Sequence, residues 1–163
     1  MKVNVHVRNL LGAVALSAFA VGAQAQAQEA LLGFNGDLSA SPSALSAQAA
    51  VLGLQAAIDD LNASGGVLGD KLSLVVRDDL SAPPKSIQNM SDLIDNEGVV
   101  AVFGPTNSGN ALAWKHIPTQ KTIPVIGTVA SGTEITAPVS AGADNYMFRV
   151  SMVDREQIAG LMA

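Results

Sequence analysis

The chain has 163 residues, 48% hydrophobic and 14% charged, with a formal net charge of −5. This composition excludes a disordered chain, because disorder requires low hydrophobicity and many charges. The chain has no cysteine and two histidines, His6 and His116, which excludes thiol nucleophiles, disulfides and zinc–cysteine sites. The acidic balance also excludes nucleic acid as the expected partner, since phosphate binding needs basic patches.

The first 27 residues have the layout of a secretory signal peptide. Lys2 and Arg8 give a basic start, and the segment 10–22 is apolar and uncharged. This apolar segment is shorter than the roughly 20 residues of a membrane-spanning helix, and small residues typical of a cleavage site follow it. We expect cleavage after Ala27, with Ala25 as the alternative, and export of residues 28–163 to the periplasm.

Apolar runs and helical periodicities alternate along the rest of the chain. Strands are predicted at 31–34, 72–76, 99–103, 123–127 and 146–150, and helices at 47–63, 83–96, 110–120 and from 154 onward. Strands with consecutive apolar residues are typical of a parallel sheet that helices cover on both faces. The sequence therefore predicts an α/β fold, with the strand order 2-1-3-4-5 and right-handed crossovers.

Ligands of such sheets bind beyond the carboxyl ends of the strands. In this chain that edge carries four loops, at 35–46, 78–83, 104–109 and 127–134. The loop 104–109 has two glycines but lacks the lysine and hydroxyl residue that complete a phosphate-binding loop. It also lacks the glycines that flank the serine of a nucleophile elbow, so Ser108 is not predicted to be a nucleophile.

Two of these loops are rich in neutral hydrogen-bond donors. Ser108 and Gly109 lie where a helix is predicted to begin, and free backbone N–H groups at such a position suit a carboxylate. The alternative is that Ser108 only caps the helix. In the other loop Ser131 and Thr133 offer hydroxyls and Gly132 permits close approach of a ligand, the alternative being a plain polar turn. Together the loops favour a small polar ligand.

The other polar candidates predict structure rather than chemistry. Asp78 and Asp79 are adjacent on an extended strand, so their side chains point apart, and we expect a solvated strand end rather than a cation site. Trp114 is expected in the core or an interface, and His116 on the surface. The chain is therefore expected not to be an enzyme and to use no metal and no cofactor.

Several segments of the chain match a known family. They are the helix end 62–66 (Asn-Ala-Ser-Gly-Gly), the strand 72–79 ending in Asp-Asp, and the segments 102–109, 123–126 and 145–149. With them the chain, from about Leu31 to its end, resembles the type I periplasmic binding proteins. It is most similar to the branched-chain (Leu/Ile/Val) amino-acid receptors of ABC importers.

The resemblance implies a fold, a function and partners. The family has two α/β lobes that close on a ligand, and residues 28–163 correspond to an incomplete protein with the N-terminal lobe only. The implied function is capture of a branched-chain or related amino acid in the periplasm for an ABC permease in the inner membrane.

The resemblance also implies roles for individual residues. Ser108 donates to the ligand carboxylate, Ser131 serves carboxylate and ammonium, and the Val129 carbonyl accepts from the ammonium. Asn107 and Gly109 complete the expected ligand-binding set, although they differ from the serine-rich loop of the leucine receptors.

The side-chain end of the ligand is less well defined. The family often has an aromatic residue in the loop before the first helix, near Ser46, whereas this chain has only small residues there. The alternative function is therefore a periplasmic sensor or receptor lobe for an aromatic acid, an amide or a urea-like ligand.

Overall fold

A computed structural model of the chain describes residues 29–163, so the predicted signal peptide and its cleavage site lie outside the described residues. The strands are β1 (Glu29–Gly36), β2 (Lys71–Asp78), β3 (Ala101–Phe103), β4 (Val125–Gly127) and β5 (Met147–Arg149). The helices are α1 (Ala44–Ala63), α2 (Pro83–Asp92), α3 (Ser108–Trp114), α4 (His116–Lys121) and α5 (Asp154–Met162). A π-helical turn, Leu93–Glu97, extends α2, and a 3₁₀ turn, Thr133–Thr136, follows β4.

The five strands form one parallel sheet in the order β2-β1-β3-β4-β5, which confirms the predicted fold class and strand order. The first strand lies between β2 and β3, and Phe34 pairs with Val76 on one side and Phe103 on the other. Because the strands are parallel, their carboxyl ends share one edge of the sheet. We call this edge the rim.

The core lies between the sheet and the helices α2 and α3. Its largest members, Trp114, Met90 and Leu93, are completely buried. The indole N–H of Trp114 donates to the Ser86 hydroxyl at 2.9 Å, so the one polar atom of this side chain is satisfied inside the core. The expected core position of Trp114 is confirmed, and His116 is exposed as expected.

The helix predicted at 110–120 differs from the observed structure in two ways. It begins two residues earlier, at Ser108, and it divides after Trp114 into α3 and α4. Pro118 explains the division, because proline has no N–H to donate to the carbonyl four residues before it and its ring crowds that carbonyl. The early start places Ser108 inside the first turn of the helix.

The carboxyl-terminal helix lies apart from the core. Every residue of α5 is exposed, and so are the apolar side chains of Phe148 and Val150 just before it. Within residues 29–163, none of the helices combines the length and the apolar character needed to cross a membrane.

Candidate ligand-binding site

The rim loops that follow β1, β2 and β3 are joined by hydrogen bonds. The backbone N–H of Asp37 donates to the Thr106 hydroxyl at 3.0 Å, and the N–H of Leu38 donates to the Asp78 carboxylate at 3.0 Å. These bonds connect the loop after β1 to both neighbouring loops. The sheet therefore brings the predicted loops together at one edge.

Asn107 is the residue that caps α3. Its side-chain oxygen accepts from the backbone N–H of Gly109 at 2.8 Å and of Asn110 at 3.3 Å, and its Nδ2 donates to the Ser81 hydroxyl at 3.3 Å. The interpretation of Ser108 as only a helix cap is therefore wrong. The side chain of Asn107 and the N–H of Gly109 already have partners within the protein, so their contribution to a ligand site is to fix the start of the helix.

Ser108 is half-buried and faces the loop after β4. Its Oγ accepts from the backbone N–H of Gly132 at 3.2 Å, which leaves the hydroxyl hydrogen free to donate. A Cβ at position 132 would lie 3.0 Å from the Cβ and the Oγ of Ser108, so a larger residue there would have to displace the Ser108 side chain. Within the described part of the chain, the backbone N–H of Ser108 also has no hydrogen-bond partner.

The loop after β4 carries Val129 and Ser131 and contacts Ser108 through Gly132. The N–H of Ala130 donates to the carbonyl of Pro105 at 3.1 Å, a second bond between this loop and the loop before α3. Among residues 29–163, neither the N–H nor the hydroxyl of Ser131 has a hydrogen-bond partner, and the carbonyl of Val129 has no donor.

A buried polar cluster lies beneath the start of α3. Asp79 is completely buried; its Oδ2 accepts from Ser86 Oγ and Asn110 Nδ2, both at 2.8 Å, and its Oδ1 accepts from the N–H of Ser81 at 2.9 Å. The predicted solvated strand end is therefore wrong for Asp79. This carboxylate instead holds the first turn of α3 against the end of β2.

Asp78 points to the other side of the strand, as predicted, and supports the loop after β1. Its carboxylate accepts from the N–H of Leu38 at 3.0 Å, the N–H of Leu80 at 2.9 Å and the Ser39 hydroxyl at 2.6 Å. Burial by itself raises the pKa of Asp78, but these three hydrogen bonds outweigh it and leave the pKa below its ordinary value. No group of three potential metal ligands is found among residues 29–163.

A separate polar groove of about 460 Å³ lies beside α2 and the edge strand β2. It contains none of the predicted site residues, and the guanidinium of Arg77 in it is already paired with Asp92 and Glu97. The groove therefore belongs to the ion-paired surface of α2 rather than to the rim.

The unpaired groups at the rim define what it can bind. Ser108 and Ser131 each offer an N–H and a hydroxyl, and Val129 offers a carbonyl. Neutral donors of this kind suit a carboxylate, and a carbonyl suits an ammonium group. Arg149, which ends β5 and contacts this loop, was not among the predicted site residues. The available signal was the position of a basic residue near the carboxyl end of a predicted strand.

Comparison with known proteins identifies the family. A model of the family described as "Periplasmic binding protein" matches residues 31–163. The chain belongs to the periplasmic binding protein family. The family resemblance inferred from the sequence motifs is thereby confirmed.

Relatives within this family carry names that specify amino acids. The chain is 35% identical over 95 residues to the Leu/Ile/Val-binding protein homolog 7 of Brucella abortus, a match covering 58% of this chain and 24% of the relative. It is 32% identical over 105 residues to the Leu/Ile/Val-binding protein of Citrobacter freundii, covering 64% and 27% respectively. The matched part thus spans about a quarter of each relative.

Solved structures of periplasmic binding proteins share the fold. The substrate binding protein LivJ from Streptococcus pneumoniae, in complex with isoleucine, superposes with a TM-score of 0.69 at 30% identity, covering 78% of this chain and 35% of LivJ. An ABC transporter substrate-binding protein from Desulfitobacterium hafniense, in complex with Leu, gives a TM-score of 0.67 at 26% identity, covering 83% and 38%. The described chain corresponds to about a third of each protein.

Proposed function

We propose that this chain supplies the amino-terminal lobe of an ABC-importer substrate-binding protein that captures a branched-chain or related amino acid in the periplasm. The observation that carries the proposal is the set of unpaired groups at Ser108, Ser131 and Val129. They supply donors and one acceptor from two loops, which the bonds Gly132–Ser108 and Ala130–Pro105 join to each other. Asn107 and Gly109 belong to the proposed site through the capping bond that sets the start of α3.

The arrangement matches the two charged ends of an amino acid. The carboxylate accepts from the Ser108 and Ser131 donors, while the ammonium donates to the Val129 carbonyl and the Ser131 hydroxyl. The ligand carboxylate and ammonium thereby give partners to backbone and side-chain atoms that otherwise have none within the described residues. The names of the Leu/Ile/Val-binding relatives support a branched-chain side chain, and the transporter names of the solved structures support an ABC permease as the partner.

Substitution of Ser108 tests this proposal directly. In Ser108→Ala the carboxylate loses a hydrogen bond of the charge-assisted kind, and we expect the dissociation constant for leucine to rise about tenfold. The measurement is a leucine titration of the isotope-labelled chain, purified after export. Binding is followed through the backbone amide signals, which report dissociation constants in the millimolar range. Amide signals of Ser131 and Gly132 are expected to move with the ligand.

Ser140→Ala is the matched control, because Ser140 lies in an exposed turn away from the rim. Its affinity for leucine is expected to equal that of the parent chain. Phenylalanine and benzoate are titrated in parallel. Unchanged leucine affinity in Ser108→Ala would place the carboxylate elsewhere, and binding of benzoate in preference to leucine would favour the sensor or receptor for an aromatic acid.

A further inference from the structure

Residues 149–154 form hydrogen bonds to the backbone carbonyls of residues 130–132, which we call the ligand loop. The Ser151 hydroxyl donates to the carbonyl of Ala130 at 2.8 Å, and the backbone N–H of Asp154 donates to the carbonyl of Ser131 at 2.9 Å. Arg149 adds two more bonds to the same stretch. All three carbonyls of residues 130–132 are therefore occupied by the segment 149–154.

The occupied carbonyls determine where the N–H groups point. In a trans peptide the N–H of each residue points away from the carbonyl of the residue before it. The N–H groups of Ser131, Gly132 and Thr133 consequently point away from the segment 149–154. The N–H of Gly132 meets Ser108 Oγ at 3.2 Å, while those of Ser131 and Thr133 have no partner within residues 29–163.

The guanidinium of Arg149 forms three hydrogen bonds that hold this arrangement. Its Nη1 donates to the Ser131 carbonyl at 3.1 Å, and its Nη2 donates to the Gly132 carbonyl at 2.8 Å and to the Thr136 hydroxyl at 3.1 Å. The planar fork reaches the two carbonyls from two nitrogens at a fixed spacing, whereas a lysine ammonium would have to reach both from one atom. Among the described residues Arg149 forms no ion pair with a carboxylate, so its guanidinium is held by carbonyl and hydroxyl oxygens and not by an opposite charge.

We propose that Arg149 is a positioning residue of the ligand site, which holds the carbonyls of Ser131 and Gly132 away from the rim and thereby presents the donors of Ser131 to a ligand carboxylate. This inference rests on the proposed function for the identity of the ligand. The arrangement of the loop itself does not depend on which carboxylate is bound.

The first arm of the test needs no ligand. Amide hydrogen exchange is measured in the exported full chain and in Arg149→Lys and Arg149→Met. We expect exchange of the Gly132 amide to become about tenfold faster in both variants, because the loop loses the bonds that keep it against Ser108. Arg155→Met is the matched control, since the side chain of Arg155 is exposed and contacts only Glu156.

The second arm measures coupling to the ligand. Leucine dissociation constants are determined for Arg149→Lys, for Ser131→Ala and for the double variant. We expect each single variant to weaken binding about tenfold. The double variant is expected to cost less than the sum of the two single costs, because the hydroxyl that Ser131→Ala removes is one of the two donors that Arg149 presents. If Arg149 only stabilised the fold, Arg149→Lys would lower the melting temperature, and its loss of leucine affinity would add in full to that of Ser131→Ala.

The outcomes separate the inference from the proposed function. Parent-like leucine affinity in Arg149→Lys, or parent-like Gly132 exchange in both Arg149 variants, would overturn the inference and leave the proposed function intact. Additive costs in the double variant would overturn it as well. Absence of leucine binding in the parent chain would overturn the proposed function, and the exchange arm then decides whether Arg149 holds the loop. If the Arg149 variants fail to fold, Thr136→Val removes one of the three bonds and is expected to show the same effects in weaker form.

Discussion

The Ser108 hydroxyl is available to a ligand because its neighbour Asn107 caps the helix. Sequence reasoning located the right turn, since a short polar segment between a buried strand and a helix is recognisable from its composition. It considered only Ser108 as a possible cap and did not consider Asn107, because the identity of the cap depends on the residue at which the helix begins. The start at Ser108, two residues before the predicted position, decided it.

The burial of Asp79 was not predictable from the strand pattern. Alternation along an extended strand separates Asp78 from Asp79 correctly, yet it says nothing about what covers either face beyond the end of the strand. In the structure Ser86 of α2 and Asn110 of α3 supply the hydrogen bonds that make burial of this carboxylate tolerable. Those partners come from elements that lie 7 and 31 residues further along the chain.

Asp78 makes the stability of the lobe depend on pH in the acid range. Its folded-state pKa lies below the ordinary value of 3.8, so the carboxylate stabilises the fold above that value and the contribution is lost as the pH falls through the lower folded-state pKa. We expect the urea midpoint of the parent chain to fall more steeply than that of Asp78→Asn between about pH 5 and about pH 3. Urea unfolding followed by circular dichroism measures both midpoints.

Asp59→Asn provides the comparison for an exposed carboxylate on α1, whose one hydrogen bond, accepted from Gln55 Nε2 at 2.9 Å, an asparagine oxygen can also accept. Its pH profile is expected to parallel that of the parent chain. Parallel profiles for the parent and Asp78→Asn would show that the hydrogen bonds of Asp78 add no stability.

At the scale of elements, the existence and order of the strands and helices followed from the sequence, whereas several boundaries did not. The buried strands were recognisable because consecutive apolar residues at 99–103 suit a strand covered on both faces. Only residues 101–103 of this run form the observed strand β3. The division of the third helix at Pro118 was accessible from a known steric rule that the periodicity analysis did not apply.

The end of the α2 segment depends on a glycine. After the π-helical turn, Gly98 adopts a left-handed conformation with φ of 71°, and the N–H of Val99 donates to the Leu93 carbonyl at 3.1 Å. A Cβ at Gly98 would meet no atom within 4 Å, so a substitution there tests conformation without a steric clash. We expect Gly98→Ala to destabilise the fold by about 1 kcal/mol.

Gly53 gives a matched comparison with the opposite sign. It lies in the interior of α1, is exposed, and a Cβ there would also meet nothing within 4 Å. Gly53→Ala is expected to stabilise the fold by about 0.5–1 kcal/mol, because alanine loses less backbone entropy in a helix. Urea unfolding of both variants measures the difference, and equal effects would contradict the assigned conformation of Gly98.

At the scale of the whole molecule, the proposed function makes the described chain one wall of a site between two lobes. Ser108 and Ser131 stand at an open rim, where water competes for their hydrogen bonds, and a single wall encloses little of a small ligand's surface. We expect residues 28–163 alone to bind leucine with a dissociation constant of about 1 mM or higher. This corresponds to a binding free energy no more favourable than about −4 kcal/mol.

Leucine, valine, phenylalanine and benzoate are the ligands for this measurement. The Streptococcus pneumoniae LivJ protein with isoleucine serves as the positive control for the titration. A micromolar constant for any of the four ligands would show that one lobe suffices.

The exposed apolar side chains of Phe148 and Val150 also predict self-association of this lobe, which sedimentation at increasing concentration measures.

The bonds from residues 149–154 to the ligand loop make this part of the rim depend on a later stretch of the chain. The groups of Arg149, Ser151 and Asp154 that hold the carbonyls of residues 130–132 all belong to the segment after β4. A variant truncated before residue 149 would keep every donor of the ligand loop and lose these bonds. The amino-terminal strands are therefore not sufficient for the rim, although they carry all of its proposed ligand contacts.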